Sequence, residues 1–435
     1  MIAITATISL AAFAILYLRM NRKSSNSIAF FHPYCNAGGG GERVLWTAIQ
    51  GVQAIQPKTH IFVYTGDAES KETLLSNVRN KMSIHLNPQT IHFVTLSSRR
   101  LVDDKSWPYF TLLGQAIGSV ILVLEALFRY KDFAVFIGEL LNPHARIVAY
   151  THYPTISSDM VSRVQQRHKN VTNSSTIASS KVLSRGKLMY YHALIRAYAF
   201  CLSVCDVNMA NSSWTANHIR TLIGRDVKIV YPPCDTVALR DFSLESRQKS
   251  VLCVAQFRPE KAHATQIHAF KDLLDSHAQH KDAKLILLGS ARNQDDLDRV
   301  DSLKLLAKSL DIESKVDFIV NASFDVLLHN LSTASIGINT MVDEHFGINV
   351  VEYMAAGLVP LAHASAGPLL DIIVEYKGAK TGYHARDVKD FSDRMNEIFD
   401  LGEQELLQLR QRARESVVER LSDTTFNEDF LDTLS

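Results

Sequence analysis

Short apolar runs alternate along the chain with longer segments of helical periodicity. In the first half, runs rich in Val, Ile and Phe occur at 28–32, 61–64, 91–96, 134–137, 147–151, 207–210 and 228–230. A strand followed by a helix, repeated in this way, is typical of a parallel sheet with helices on both faces. The pattern therefore predicts an α/β fold for residues 27–235.

A second series of apolar runs follows a polar, charged stretch at 236–249, which we interpret as a linker. The later runs lie at 251–255, 284–288, 316–319, 335–339 and 358–362. They predict a second α/β domain over 250–435. Two doubly wound domains of this kind are expected to bind a ligand in a cleft onto which the C-terminal ends of both sheets open.

The N-terminus departs from this pattern, because residues 2–18 are apolar without a charged side chain and Arg19, Arg22 and Lys23 follow them. Seventeen residues is near the short limit for a membrane span. Basic residues after an apolar run favour a signal anchor over 1–20, with the rest of the chain in the cytosol. A cleaved signal peptide, which normally carries its basic residues before the run, is the alternative.

Two further segments, 110–128 and 188–205, are unusually apolar. Each contains charged residues and interrupts the strand and helix alternation, which favours buried helices of the first domain. A membrane-facing surface on that domain is the alternative.

Charge and cysteine content narrow the function classes. The 435 residues include 46 Lys and Arg against 45 Asp and Glu, so no overall positive field recruits nucleic acid. An anionic ligand must instead be bound by a few well-placed residues. The 5 cysteines lack paired spacing, which indicates neither a disulfide framework nor a zinc site.

Three motifs follow predicted strands and combine glycine, basic and acidic residues. The first is Gly38–Gly41, which precedes a helical pattern and allows backbone amides to approach a phosphate. It lacks the spacing of a dinucleotide fingerprint or a P-loop, and a flexible turn is the alternative. The second is Gln256-Phe-Arg-Pro-Glu-Lys261, in which Arg258 and Lys261 are either a diphosphate site or a solvated turn.

The third motif is Asp343-Glu-His-Phe-Gly-Ile-Asn-Val-Val-Glu-Tyr353. Gly347 and Ile348 are predicted to open a helix whose amides hold phosphate oxygens. Glu344 is then expected in the preceding loop, and Glu352 roughly two turns into the helix. Of two carboxylates near the start of one helix, one can face a reacting sugar while the other accepts hydrogen bonds from a ribose diol.

Glu344 and Glu352, with His-Phe-Gly between them, resemble the E-x7-E motif of the retaining glycosyltransferases of family four. That family has the GT-B fold, in which two Rossmann-like domains face a cleft that holds a nucleotide sugar. Six further blocks occur in order along the chain: Phe31-His-Pro-Tyr-Cys-Asn-Ala-Gly-Gly-Gly-Gly-Glu-Arg-Val-Leu-Trp46, Thr151-His-Tyr-Pro-Thr-Ile-Ser157, Asn211-Ser-Ser-Trp-Thr215, Tyr231-Pro-Pro-Cys-Asp235, Gln256-Phe-Arg-Pro-Glu-Lys261 and Leu287-Leu-Gly-Ser-Ala-Arg292. Together these blocks resemble the GDP-mannose-dependent α-1,2-mannosyltransferases that add the fourth and fifth mannoses of the dolichol-linked N-glycan precursor.

The resemblance implies a role for each candidate residue. It places Glu344 against the donor mannose, Glu352 on the ribose hydroxyls of GDP, and His152 near the transferred sugar. The remaining candidates are expected to contact the diphosphate: Arg258 and Lys261 by charge, and Gly39, Gly40, Gly347 and Ile348 by their backbone.

The same resemblance implies catalysis without a divalent metal or other cofactor. The donor substrate is then GDP-mannose and the acceptor a dolichol-diphosphate oligosaccharide at the cytosolic face of the endoplasmic reticulum membrane, with other mannosyltransferases of the pathway as possible partners. Two alternatives stay open: another GT-B transferase with a lipid acceptor, such as a phosphatidylinositol mannosyltransferase, and a catalytically weakened scaffold of the same fold.

The chain departs from the family pattern at two places. Gln256 occupies a position where many members have Arg, so either Arg258 takes the phosphate role or Lys261 acts with less help. The segment between Phe133 and Ala149 also lacks an Asp-x-x-Gly-Tyr stretch expected of close relatives. This second departure predicts an altered acceptor side of the first domain.

Overall fold

The computed structural model describes residues 27–129, 135–137, 146–154, 165 and 181–434. The predicted anchor at 1–20 and most of the segment between Phe133 and Ala149 lie outside these ranges. The chain divides into two compact units. Unit 1 contains residues 1–211, 215–230 and 427–435, and unit 2 contains residues 212–214 and 231–426.

Unit 1 is built on a seven-stranded sheet in the order β3-β2-β1-β4-β5-β6-β7, and all neighbouring strands are parallel. Its strands are β1 (Ser27–Phe31), β2 (His60–Thr65), β3 (Ile91–Thr95), β4 (Val135–Ile137), β5 (Arg146–Thr151), β6 (Val207–Ala210) and β7 (Lys228–Ile229). Each apolar run of the first half thus forms a strand close to its predicted bounds, because runs of β-branched and aromatic residues suit a sheet that is buried on both faces.

The helices described in unit 1 follow its strands, as the alternation predicts. They are α1 (Gly40–Ile55), α2 (Lys71–Met82), α3 (Thr111–Arg129), α4 (Lys181–Ser203) and α5 (Ser213–Ile223). Short 3₁₀ segments at Pro88–Thr90, Ser97–Val102 and Asp104–Ser106 connect β3 to its neighbours. Helix α5 begins with residues assigned to unit 2 and continues in unit 1.

Helix α3 has one buried and one exposed apolar face, so it is not the fully buried helix that its composition favours. Leu122, Val123 and Ala126 are buried against the sheet of unit 1. On the other face Ile117, Ile121, Leu124 and Phe128 are 40–78% exposed. We call these four residues the α3 apolar stripe. Among the helices that the structure describes, none is long and apolar enough to cross a membrane.

Unit 2 contains a six-stranded parallel sheet in the order β10-β9-β8-β11-β12-β13. Its strands are β8 (Gln248–Val254), β9 (Lys284–Gly289), β10 (Val316–Val320), β11 (Ala334–Asn339), β12 (Val359–His363) and β13 (Tyr383–Ala385). The last strand was not predicted, since three residues are too few to show a pattern. The predicted linker range also carries structure, because it contains a short helix and the first residues of β8.

The helices of unit 2 cover both faces of this sheet. They are α6 (Thr236–Leu239), α7 (His263–Ser276), α8 (Gln294–Ser309), α9 (Phe324–Thr333), α10 (Ile348–Ala356), α11 (Val388–Phe399), α12 (Glu403–Arg420) and α13 (Asp423–Leu434). From Asn427 onward α13 belongs to unit 1. Two apolar clusters, one on each side of the sheet, bury residues such as Phe270, Phe391, Met354 and Ile372 completely.

Candidate active site

The sheet of unit 2 has a point at which the direction of the chain reverses. From β8 the chain continues to β9 on one side, whereas from β11 it continues to β12 on the other. In sheets of this kind, ligands bind in the crevice outside the carboxyl ends of the two strands at the reversal. The motif with Arg258 and Lys261 directly follows β8, and Glu344 follows β11.

Lys261 and Glu344 are in direct contact at this edge. The Lys261 Nζ lies 2.5 Å from Glu344 Oε2, and the two side chains are 23% and 11% exposed. The same ammonium is 3.2 Å from the sulfur of Met341. Opposite charges this close and this shielded attract more strongly than a surface pair. An anionic ligand therefore meets a lysine that is already held by a carboxylate.

A series of hydrogen-bonded polar side chains holds Glu344 in place. Asn339, the last residue of β11, donates from Nδ2 to Glu344 Oε2 at 3.3 Å and to Asn349 Oδ1 at 3.1 Å. Asn349 in turn donates to the Val254 carbonyl at 3.1 Å. The carboxylate is thus tied to the ends of both central strands, β8 and β11.

Tyr353 completes this chain inside the core. Its hydroxyl accepts a bond from the backbone amide of Val254 at 2.6 Å and lies 3.3 Å from Asn349 Nδ2. The ring packs on Gly337, where an added Cβ would lie 2.2 Å from the Tyr353 Cγ. A glycine at this position of β11 therefore leaves the space that the tyrosine needs.

Helix α10 begins as predicted, with Gly347 at its N-cap and Ile348 as its first residue. Gly347 has φ +108, a left-handed conformation that favours glycine. Glu344 lies in the preceding loop, where the Gly367 amide donates to its carbonyl at 2.9 Å. Glu352 follows Ile348 by four residues, which is just over one helical turn and not the two predicted.

Arg258 does not join the Lys261 and Glu344 pair. Its Nη1 lies 3.7 Å from Glu260 Oε1, and both side chains are more than a third exposed. The Arg258 Nε is buried and has no hydrogen-bond partner in the described chain. The structure therefore brings Lys261 and Glu344 together and leaves Arg258 on a separate contact within the same loop.

In unit 1 the glycine-rich motif forms the turn between β1 and α1. Gly38 has φ +79, which explains a glycine at that position. Gly39 is the N-cap of α1, and its amide donates to Glu42 Oε2 at 2.6 Å. That amide is therefore already engaged by a carboxylate. Gly38, Gly39 and Gly40 are all exposed.

His152 lies directly after β5 at the carboxyl edge of the sheet in unit 1. Desolvation, followed by the neighbouring His32, lowers the pKa of His152 from 6.5 to about 4. The imidazole is consequently neutral at pH 7, so it can donate or accept one hydrogen bond per nitrogen but offers no positive charge.

Residues that sequence reasoning missed share one property: their contacts depend on tertiary packing. Asn339, Asn349 and Tyr353 act together across two strands and a helix. The only sequence signal was the spacing of Asn349 and Tyr353, which places both on one face of α10.

In the described residues, no group of three or more His, Cys, Asp or Glu side chains is placed to hold a metal ion.

Comparison with known families and proteins matches both halves of the chain. The family described as ALG11 mannosyltransferase N-terminus matches residues 25–223, and glycosyl transferases group 1 matches residues 238–416. A GDP-Man:Man(3)GlcNAc(2)-PP-Dol alpha-1,2-mannosyltransferase of Mus musculus is 43% identical in an alignment of 430 residues that covers 94% of this chain and 87% of that protein. The Homo sapiens protein of the same name is 41% identical over 433 residues, covering 95% and 87%.

Solved structures of low sequence identity share the fold. A glycosyltransferase from Rickettsia africae superimposes with a TM-score of 0.62 at 13% identity, covering 94% of this chain and 98% of that chain. Anabaena Alr3699/HepE in complex with UDP gives a TM-score of 0.64 at 14% identity, covering 94% and 99%. These likenesses confirm the predicted α/β fold of the GT-B type, with parallel sheets.

Proposed function

The chain belongs to the family of GDP-Man:Man(3)GlcNAc(2)-PP-Dol alpha-1,2-mannosyltransferases, and we propose that it catalyses the reaction which that name describes. It transfers mannose from GDP-mannose, in α-1,2 linkage, to trimannosyl-chitobiosyl-diphosphodolichol and then to the tetramannosyl product. Each transfer breaks the bond between the mannose anomeric carbon and the diphosphate, forms a bond to an acceptor hydroxyl and releases GDP.

The observation that carries this proposal is the Lys261 and Glu344 pair at the reversal point of the unit 2 sheet. When GDP-mannose binds there, its diphosphate offers Lys261 a second anionic partner. An ammonium placed beside the departing diphosphate stabilises the charge that develops as the sugar leaves. Glu344, held by Asn339, is then positioned against the mannose.

The remaining candidates receive the roles that the resemblance implies. Glu352 binds the ribose hydroxyls of GDP, and the backbone at Gly347 and Ile348 holds phosphate oxygens at the start of α10. Arg258 exchanges its long contact with Glu260 for the diphosphate. We expect Gly39 to contact the donor only if its amide leaves Glu42.

In unit 1, Gly40 and His152 are expected to act by direct contact and without a charge. Gly40 presents exposed backbone without a side chain at the start of α1. His152 offers a neutral imidazole to a hydroxyl of the transferred sugar. In the family mechanism, the departing phosphate oxygen helps to remove the proton from the acceptor hydroxyl, so neither group is needed as a general base.

We further propose that the protein works at the cytosolic face of the endoplasmic reticulum membrane. The dolichol acceptor accounts for the membrane, and the basic residues that follow the apolar run 2–18 account for the cytosolic side. Residues 1–20 anchor the chain, and the α3 apolar stripe contacts the bilayer. Exposed basic residues lie near this stripe in sequence at Arg100, Lys105 and Arg129, which suits an anionic lipid surface.

Product analysis tests the function. The purified protein, GDP-mannose and the trimannosyl lipid are incubated in buffer with EDTA, since we expect no divalent metal to be required. The expected product carries two more mannoses, both of which an α-1,2-mannosidase removes. An unextended acceptor, when a relative's enzyme extends it in parallel, would refute the proposal. Mannose transfer to phosphatidylinositol instead would assign the chain to another lipid acceptor.

A further inference from the structure

His32 lies beside His152, although neither the motifs nor the family comparison assigns it a role. It directly follows β1, and only β4 separates β1 from β5, which His152 follows. A Cβ built on Gly41 would be 3.6 Å from the His32 Nε2 and 3.8 Å from the His152 Nε2. The two ring nitrogens therefore converge on the first turn of α1.

The two imidazoles line a cavity within unit 1. Its volume is about 280 Å³, and its other walls are mostly apolar, with Val44 of α1 and Leu122 of α3 among them. Pockets for drug-sized ligands start at roughly 300 Å³. The cavity is therefore of a size for one small ring and too small for a nucleotide.

The charge state of both rings limits the ligand class. Desolvation lowers the pKa of His32, and the nearby Glu42 carboxylate offsets this effect only in part. The pKa of His152 falls to about 4 for the same reason. Two neutral imidazoles attract an anionic diphosphate weakly, whereas each can donate to or accept from a hydroxyl group. Apolar walls with a few polar groups match a hexose, whose surface carries both apolar C–H groups and hydroxyl groups.

We propose that His32 is a sugar-binding residue that acts together with His152, so that their Nε2 atoms hold hydroxyl groups of one hexose at the wall of this cavity. The inference rests on the proposed function and adds a residue to it. The hexose is either the mannose of the donor or the terminal mannose of the acceptor, and both present the same chemistry to the two rings.

Two variants separate the contribution of the Nε2 atom from that of packing. In His32→Gln the side-chain amide reaches the position of Nε2, whereas in His32→Asn it reaches only that of Nδ1. We expect His32→Asn to lower kcat/KM by about 2- to 13-fold, the equivalent of one net hydrogen bond. His32→Gln is expected to retain most of the wild-type value.

Monodeoxy substrates identify the sugar and its hydroxyl. Each GDP-deoxymannose and each acceptor with a deoxygenated terminal mannose is compared in the wild type and in His32→Asn. The defect of His32→Asn should vanish on the compound that lacks the bound hydroxyl, since the variant and the compound remove the same bond. A match among donors assigns the donor mannose, and a match among acceptors assigns the acceptor.

The proposal is overturned if the two variants lose activity equally, or if the defect is the same on every deoxy compound. An unchanged kcat/KM in His32→Asn also overturns it. Each of these three results counts only if the wild type is active on the unmodified substrates in the same assay. A failure of the proposed function itself is recognised separately, because the wild-type control would then show no transfer.

Discussion

Lys261 and Glu344 are 83 residues apart in sequence, yet they meet because β8 and β11 are neighbours that end at the same edge of one sheet. The sequence indicated each residue separately, by its position after an apolar run. It did not indicate their direct contact at 2.5 Å, which depends on the loop conformations after both strands. The pair explains how the Lys261 ammonium is oriented before the donor arrives.

Replacing Lys261 by Met removes the ammonium while retaining a long side chain. We expect kcat/KM for GDP-mannose to fall by about 10- to 100-fold, since Lys261 contacts the diphosphate during binding and departure and hydrogen bonds to charged groups are worth about 1.5–3 kcal/mol. Steady-state rates against GDP-mannose concentration measure the change.

Lys304→Met, on the exposed face of helix α8, is the matched control and should leave kcat/KM unchanged. If Lys261→Met shows the wild-type KM and kcat, Lys261 does not bind the diphosphate.

At the scale of elements, the strands could be predicted from the sequence, whereas the hydrogen bonds between elements could not. Buried parallel strands need continuous apolar runs, so every predicted strand is present within three residues of its expected bounds. The site network of Asn339, Asn349 and Tyr353 left no comparable pattern, since hydrogen bonds between elements have no fixed spacing. The bond from the Gly39 amide to Glu42 differs, because it has the three-residue spacing of a capping box and is visible in the sequence.

Helix α7 supplies a pH-dependent contribution to stability through His263. This residue is 3% exposed and stacks on Phe257 at 5.1 Å. Desolvation, with smaller effects of Lys261 and Arg299, lowers the pKa of His263 from 6.5 to about 4. Because the unfolded chain binds the proton more tightly, the stabilising contribution is complete above pH 6.5 and is lost as the pH falls toward 4.

Replacing His263 by Gln should therefore flatten the dependence of stability on pH. Between pH 6.5 and pH 5 the wild type is expected to lose about 2 kcal/mol more of its unfolding free energy than His263→Gln. Urea unfolding at both pH values measures this difference. His268→Gln, on the exposed face of the same helix, should keep the wild-type slope. An equal slope in the wild type and His263→Gln would contradict the assignment.

At the scale of the whole molecule, the proposed acceptor is a dolichol-linked lipid, which the enzyme would have to reach at a membrane. The α3 apolar stripe has a spacing of four, three and four residues, which places Ile117, Ile121, Leu124 and Phe128 on one side of the helix. Such an exposed apolar face is costly in water and favourable at a lipid surface.

Serine at Ile117, Ile121 and Leu124 together should weaken use of the lipid acceptor. We expect the KM for the dolichol-linked substrate in vesicles to rise at least about fivefold, because roughly 1.5–3 kcal/mol of burial is available per large apolar side chain. The KM for GDP-mannose should not change. As a control, serine at Leu305 and Phe324, which are 67% and 64% exposed in unit 2, should leave both constants unchanged. A normal KM for the lipid in the triple variant would exclude the stripe as a membrane contact.

The central claim is that Glu344, paired with Lys261, drives mannose transfer from GDP-mannose. The most direct test compares transfer to the trimannosyl lipid by the wild type and by Glu344→Gln, which keeps the shape of the side chain and removes its charge. The wild type should extend the acceptor, and the variant should lose about 100-fold or more in kcat while keeping the wild-type melting temperature within a few degrees. Glu313→Gln, on an exposed turn of unit 2, should remain fully active. Wild-type transfer rates in a folded Glu344→Gln variant would contradict the account.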